Sequence, residues 1–384
     1  MPNPPSRVPT VGMIGAGQLA RMTQPAAIAL GVGLRLLAET TTDSAALVTP
    51  DVVVGDYRNL DDLAGFTAGC DVVTFDHEHV PLEHVETLVA SGARVFPGPQ
   101  ALPYVQDKIR MRERLGALGL PVPAWRSVES AAEVAEFGEA YGWPVVAKAA
   151  SGGYDGKGVW VLRSLAEATA LLGRGGVRFY VEQHVAFTRE LAALVARSPS
   201  GQSVAWPVVE TVQDDGICVE VLAPAPSLAP ERASEATELA LRIAGEFDVV
   251  GLLAVELFEV DGGVLVNELA MRPHNSGHWT IDGSVTSQFE QHLRAVLDWP
   301  LGDTRARAPF TVMVNLLGGG GVGASDLASR IPDALADGDV RLHLYGKGVR
   351  PGRKIGHVTI SGDDVADLRT RACRATDLLR GEPA

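Results

Sequence analysis

Short apolar runs separated by amphipathic stretches set the framework of the chain. Val11 to Ile14 is apolar, breaks at Gly15-Ala16-Gly17 and passes into helix-compatible sequence up to Leu30; Leu34 to Ala38 is a second run, ending at Glu39. Val52 to Val54, Asp71 to Phe75 and Arg94 to Phe96 read as further strands, with helical periodicity over Leu82 to Ala90. Strands buried on both faces read as unbroken apolar runs, and their alternation with helices predicts a doubly wound, Rossmann-like α/β domain over residues 1–104. Pro97-Gly98-Pro99 and Pro103 mark its end.

Beyond them a charged helix is expected over Val105 to Leu118, then helix Ala131 to Tyr141, an apolar run from Pro144 to Ala147, strand Trp160 to Leu162, helix Leu165 to Leu172 and strand Phe179 to Val181. These make a small central lid domain, 105–186. Residues 187–384 predict a larger α+β domain. Its strands are Glu190 to Ala196 and Ser203 to Val209, followed by helix Glu231 to Glu246, a hairpin, and a final eighty residues of strand and turn.

Candidate chemistry sits at three places on this frame. Ser151-Gly152-Gly153-Tyr154-Asp155-Gly156-Lys157-Gly158 follows Lys148. Its glycines expose backbone amides and permit the positive φ angles that aim them at one anion, and the two lysines supply the charge a polyphosphate requires. In the hairpin, Leu252 to Phe258 and Val264 to Leu269 flank Asp261-Gly262-Gly263. Symmetry about Gly262 places Glu256 opposite Glu268, with Cβ atoms about 5 Å apart, on a face shared with Ala254, Phe258, Val266 and Ala270. Two carboxylates so placed repel unless a cation joins them, and hard oxygens suit Mg²⁺. Asn267 points to the other face unless the strand is irregular. Arg272, His274 and Asn275 follow in a turn rich in donors, and Lys347, Arg350, Arg353 and Lys354 gather four cations in a glycine- and proline-shaped loop suited to a phosphomonoester.

Composition narrows the ligands. Net charge is −14, so no general basic field exists to attract nucleic acid or anionic lipid, and an anionic substrate must be caught by a local cluster of cations. Cys70, Cys218 and Cys373 lack metal or disulfide spacing, which fits a reducing, cytoplasmic setting. No apolar run is long enough to span a bilayer, and the first ten residues do not read as a signal peptide. Gly15-Ala16-Gly17-Gln18-Leu19-Ala20 with Glu39 is, by itself, a dinucleotide fingerprint; the same glycines also serve a tight turn whose helix faces some other ligand.

Together these residues resemble the ATP-grasp ligases, and within them the purine-biosynthetic branch that carboxylates aminoimidazole ribonucleotide. The resemblance runs from Gly15-Ala16-Gly17-Gln18-Leu19 through the Gly153–Gly158 loop, Asn267-Glu268-Leu269 and His274-Asn275-Ser276-Gly277-His278-Trp279 to Arg350-Pro351-Gly352-Arg353-Lys354-Ile355-Gly356-His357. It implies an ATP-grasp fold and a cytoplasmic homodimer that uses ATP, bicarbonate and 5-aminoimidazole ribonucleotide, with Mg²⁺ replaceable by Mn²⁺. The implied ATP site comprises Lys108, Lys148, Gly153, Tyr154, Asp155, Gly156, Lys157, Gly158, Glu182, Gln183, Val185, Glu190, Gln213, Asn267 and Glu268. Glu256 and Glu268 hold the metal; Arg272, His274 and Asn275 hold bicarbonate and carboxyphosphate; Gln18, Glu78, Tyr154, Lys347, Arg350 and Arg353 hold the ribonucleotide. Two positions depart from the family's pattern: Asp76-His77 stands where Glu-Ile is expected, and Gln213 where some members place an ATP-contacting His.

Overall fold

The computed structural model describes residues 8–152, 158–173, 175–319 and 324–381. Gly153, Tyr154, Asp155, Gly156 and Lys157, expected in the ATP loop, lie outside them. The chain opens with β1 (Thr10–Ile14), α1 (Gln18–Leu30), β2 (Gly33–Ala38), β3 (Asp51–Val54), α2 (Leu60–Thr67), β4 (Val72–Phe75) and α3 (Leu82–Ala90). The four strands form a parallel sheet in the order β3-β2-β1-β4. Strand order reverses between β1 and β4, which opens the crevice at the carboxyl ends of these two strands. Arg94 to Phe96 contributes only a bridge, Val73 to Val95, because Pro97 and Pro99 withhold the amides a longer ladder needs.

The single helix expected from Val105 to Leu118 is two: α4 (Pro103–Gln106) and α5 (Lys108–Ala117). Asp107 between them is extended, at φ −133° and ψ 105°, and its carboxylate accepts from the Ile109 and Arg110 amides at 3.0 and 3.3 Å. Capping by an acidic side chain outweighs continuation of the helix here. The break frees the Lys108 amide to donate to Ala150 O at 2.8 Å, fixing Lys108 beside the lid. That lid comprises β5 (Trp125–Val128), α6 (Ala131–Tyr141), β6 (Val145–Ala149), β7 (Val159–Leu162), α7 (Leu165–Leu172) and β8 (Phe179–Gln183), its antiparallel sheet running β5-β8-β6-β7. Ser130 and Glu133 start α6 as a capping box, and Val134, Phe137 and Leu171 close the lid's own core on Val145 and Val181.

The remaining strands are β9 (Arg189–Arg197), β10 (Ser203–Ala205), β11 (Val209–Asp214), β12 (Ile217–Ala223), β13 (Gly251–Val260), β14 (Gly263–Ala270), β15 (Phe310–Leu317), β16 (Arg341–Leu344) and β17 (Lys354–Gly362). They join as β14-β13-β9-β11-β12-β15-β17-β16, with β10 on β9. The strand expected from Ser203 to Val209 is interrupted at Trp206, which turns inward and donates from its indole to Thr286 O at 3.1 Å, and at Pro207, which has no amide for the ladder. Helix α8 (Pro230–Glu246) packs Leu239 and Ile243 into the core that also holds Val255 and Val266; α9 (Thr280–Gly283) and α10 (Gln288–Val296) follow the hairpin. The last eighty residues hold more than strand and turn: α11 (Ala324–Ala334) and α12 (Val365–Arg380) cover β15 and β17. Asp364 caps α12 on the Ala366 and Asp367 amides, and Gly381 ends it at φ 73°. No helix among the described residues is long and apolar enough to cross a membrane.

Candidate active site

Glu256 and Glu268 are paired across β13 and β14 as expected, but not by a symmetric hairpin. From Val260–Gly263 to Leu257–Val266 the register is centred between Asp261 and Gly262, which would bring Asn267 opposite Glu256. A bulge between Glu256 and Leu257 on one side, with Asn267 as the extra residue on the other, shifts the register by one and delivers Glu268 instead. Val266 therefore lies on the opposite face from Glu256, in the core under α8, and not beside it. Phe258 does share the Glu256 side and stacks on Phe187 at 4.7 Å.

The bulge also turns the Asn267 amide toward Lys148, whose ammonium donates to Asn267 Oδ1 at 2.8 Å. Lys148 is buried, 7% exposed, and its second partner is Glu182. Desolvation alone would raise the Glu182 carboxyl; Lys148 and Arg112 hold it below the usual range. Arg112, fully buried on α5, donates to Glu182 Oε2 at 2.8 Å, Val266 O at 2.7 Å and Asn267 O at 2.9 Å. Lys108, one turn earlier, pairs with Glu268. On β9, Glu190 sits beside Phe258, and burial and the nearby Glu256 charge push its carboxyl up to about 7, against Lys148. Gln183 is exposed at the end of β8, Val185 is partly buried just past it, and Gln213 is partly buried on β11 at a second bulge. Gly158, at φ 84°, accepts from the Ala149 amide at 2.8 Å at the foot of the glycine loop.

Past the hairpin, His274 Nε2 stands 3.3 Å from Glu256 Oε1, and its Nδ1 is 2.8 Å from Ser276 Oγ. Burial would raise the Glu256 carboxyl, but the His274 contact, with Lys108 and Lys354, brings it below its usual value. Glu78, from the N-terminal domain, accepts from the Met271 amide at 2.6 Å and lies 3.5 Å from Arg272 Nε. It thus aims the guanidinium across the crevice. The Asn275 amide is engaged reciprocally with Asn315 at 3.0 and 2.8 Å, and Asn315 also donates to Cys218 O at 2.9 Å.

The cationic loop is docked on α1. Lys347 donates to Gln18 Oε1, Ser44 to Tyr345 O, and Arg21 to Ser44 O at 2.8 Å. Gly346 needs its φ of 64° and leaves room for Arg21, since a Cβ there would meet Arg21 Nη1 at 2.7 Å. Arg353 donates to Gly348 O at 3.2 Å, shaping the loop from within, and Arg350 is exposed. Arg21, Ser44, Asn315 and Arg112 were not singled out by sequence; each acts through a contact between distant segments, for which the chain carries no local pattern.

Asp76 settles the question left by the dinucleotide fingerprint. It is 9% exposed and its carboxylate accepts from the Gly17 amide and, at 3.3 Å, the Ala20 amide, occupying the N-terminus of α1. A dinucleotide's pyrophosphate would need those same amides. Burial raises the Asp76 carboxyl, while the Gly17 amide and the Lys347 and Arg272 charges act to lower it. The neighbouring His77 is pushed down to about 4 by burial, His79 and Arg272.

Known proteins share this fold. A ribonucleotide synthetase preATP-grasp domain matches residues 8–106, an ATP-grasp domain residues 113–289, and a phosphoribosylaminoimidazole carboxylase C-terminal domain residues 311–371. The fold is therefore that of an ATP-grasp ligase. The chain is 55% identical over 369 residues to N5-carboxyaminoimidazole ribonucleotide synthase of Mycobacterium tuberculosis, covering 95% of this chain and 86% of that protein. It is 50% identical to the Corynebacterium ammoniagenes enzyme of the same name, covering 98% and 94%. A crystal structure of the Aspergillus clavatus enzyme with ADP and 5-aminoimidazole ribonucleotide superposes with a TM-score of 0.88 at 31% identity, over 97% of this chain and 98% of that one. Among ATP-grasp ligases, the chain belongs to the N5-carboxyaminoimidazole ribonucleotide synthase family.

Proposed function

We propose that this ligase joins bicarbonate to the exocyclic amine of 5-aminoimidazole ribonucleotide at the expense of ATP, giving 5-(carboxyamino)imidazole ribonucleotide, ADP and phosphate in purine biosynthesis. The carrying observation is that Glu256 faces Glu268 and meets His274, Arg272 meets Glu78 and Lys347 meets Gln18, contacts between the hairpin, the N-terminal domain and the cationic loop that suit a polyphosphate, a small anion and a phosphomonoester. The Aspergillus clavatus complex, which contains ADP and this ribonucleotide, supports both substrates.

Bicarbonate is a weak nucleophile, so its oxygen must be held in line with the γ-phosphorus of ATP; ADP leaves and carboxyphosphate forms. Lys148 and Lys108 neutralise phosphate charge, and Arg272 grips the planar anion by its fork. The amine nitrogen then bonds to the carboxyl carbon, phosphate departs with the electron pair, and the amine loses a proton. His274, held between Glu256 and Ser276, and Asn275, fixed by Asn315, orient the carboxyphosphate. Two facing carboxylates with an amide oxygen beside them fit a hard divalent cation: Glu256 and Glu268 would hold Mg²⁺ or Mn²⁺, which supplies Lewis-acid stabilisation of the phosphates. The cation clusters at Lys347 and Arg353 take the ribonucleotide phosphate, with Gln18 and Glu78 lining the crevice. A cytoplasmic homodimer completes the proposal by family likeness.

The deciding assay measures ADP release with and without the ribonucleotide in bicarbonate buffer; release that ignores the ribonucleotide overturns the acceptor. Lys347→Ala should raise KM for the ribonucleotide about 10–100-fold, the value of one charged hydrogen bond, and leave KM for ATP within twofold. Equal KM values for variant and parent would remove this loop from the site. Glu190 gives a proton signature. Burial and the Glu256 charge push its carboxyl up to about 7, and the ribose hydroxyls of ATP, which the family resemblance places on Glu190, favour the carboxylate by donating to it. ATP binding at pH 7 should therefore release a fraction of a proton, and affinity should fall as pH drops below 7. Calorimetry in two buffers of different ionisation heat reads the release, which Glu190→Gln should abolish; proton uptake by the parent contradicts the assignment.

A further inference from the structure

We infer that Arg112 is the positioning residue that holds the phosphate-binding and carboxylate sides of the site in register. The inference rests on the ATP-grasp reading of the site and adds a residue to it. Arg112 touches no substrate position. It is 0% exposed, on a helix whose sequence reads as a solvated charged face, and its two terminal nitrogens donate to three acceptors from two other elements.

Those acceptors explain its place. At a bulge one residue of the longer strand lies outside the ladder, and a buried carbonyl left without a donor is costly. β14 is the edge strand of its sheet, so the outward Val266 and Asn267 carbonyls have no neighbouring strand to pair with. Arg112 donates to both. The Val266 amide is taken up in turn by Pro121 O at 2.8 Å. With the carbonyls fixed, Asn267 presents its amide oxygen to Lys148 and the next residue, Glu268, faces Glu256. The third bond, to Glu182 on β8, ties the same guanidinium to the lid strand and to Lys148. Lys108 and Arg112, four residues apart on one helix face, thus clamp the hairpin on either side of Asn267. Without the clamp the hairpin can return to the register of its outer half, which puts Asn267 opposite Glu256.

Arg112→Lys decides the matter, because it keeps the buried charge beside Glu182 but cannot reach both carbonyls. The variant should unfold cooperatively near the parent's temperature. Its kcat/KM for ATP should fall about 10–100-fold and its calorimetric Kd for ADP should rise, with KM for the ribonucleotide within twofold of the parent. A general loss of packing would instead weaken both substrates or reduce the active fraction alone. Combined with Asn267→Ala, it should be no more than about twofold worse than the poorer single variant, since both act through the bulge. Parental ATP kinetics, an equal rise in both KM values, or multiplicative effects in the double variant would overturn the inference. ADP affinity reads it even if the ribonucleotide proves to be the wrong acceptor, so the two readings fail separately.

Discussion

Glu268→Gln should leave the fold intact and cut ribonucleotide-dependent ADP formation by about 10³-fold or more. The glutamine keeps the shape of the side chain and can still accept from Lys108, so packing at the hairpin is conserved. What goes is one of two facing negative charges, and with it the means of holding a divalent cation against the phosphates, a contribution of several kcal/mol in comparable sites, where about 1.4 kcal/mol is tenfold in rate. Steady-state turnover over a wide Mg²⁺ range, beside a thermal melt, provides the check. Near-parental turnover at saturating Mg²⁺ would take Glu268 out of the metal site.

Lys148→Met should fold and yet lose about 10²–10³-fold in kcat/KM for ATP, the cost of removing one preorganised cation from a phosphoryl-transfer site. Removing one partner of an isolated buried ion pair costs about 3–5 kcal/mol of stability because a bare charge is left behind. Here the loss should be smaller, because Glu182 keeps its bond to Arg112 and the remaining pair is neutral. Lys148→Arg should not restore activity: a planar fork cannot replace a point charge packed between Glu182 and Asn267. Denaturant unfolding and ATP-dependent kinetics on both variants separate the effects. A Lys148→Met protein that melts far below the parent but turns over normally would reverse the assignment.

How far the chain could be read in advance follows from the range of each interaction. Helix Leu82 to Ala90 and the strands around it were legible because periodicity and turn residues are local. The Glu256–Glu268 pair was found through a symmetry the hairpin does not possess; the bulge at Asn267 that rescues it is held by Arg112, 155 residues away along the chain. The same shift put Val266 on the wrong face. Asp107, an ordinary charged residue in a helical pattern, acts as a cap, and that choice is settled by Ala150 receiving the Lys108 amide. Helices α11 and α12 adjoin glycine-rich and strand-like stretches whose local signals are stronger, although Asp364 and Gly381 are recognisable caps of α12. Motif residues of the proposed site, Glu190, Lys148 and Arg272 among them, stand out in the sequence itself. Their supports, Ser44, Arg21, Asn315 and Arg112, emerge only when the segments fold together.

The docking of Lys347 and Tyr345 onto α1 carries a temporal meaning. Its partners lie 329 and 301 residues apart along the chain. During synthesis Gln18 and Ser44 leave the ribosome 329 and 301 residues before the side chains that meet them. The side chains assigned to ATP are complete before residue 290 is made. A nascent chain thus carries the side chains proposed for ATP well before those proposed for the acceptor's phosphate, and the docking on α1 that gathers the two can form only once the Lys347 loop has emerged.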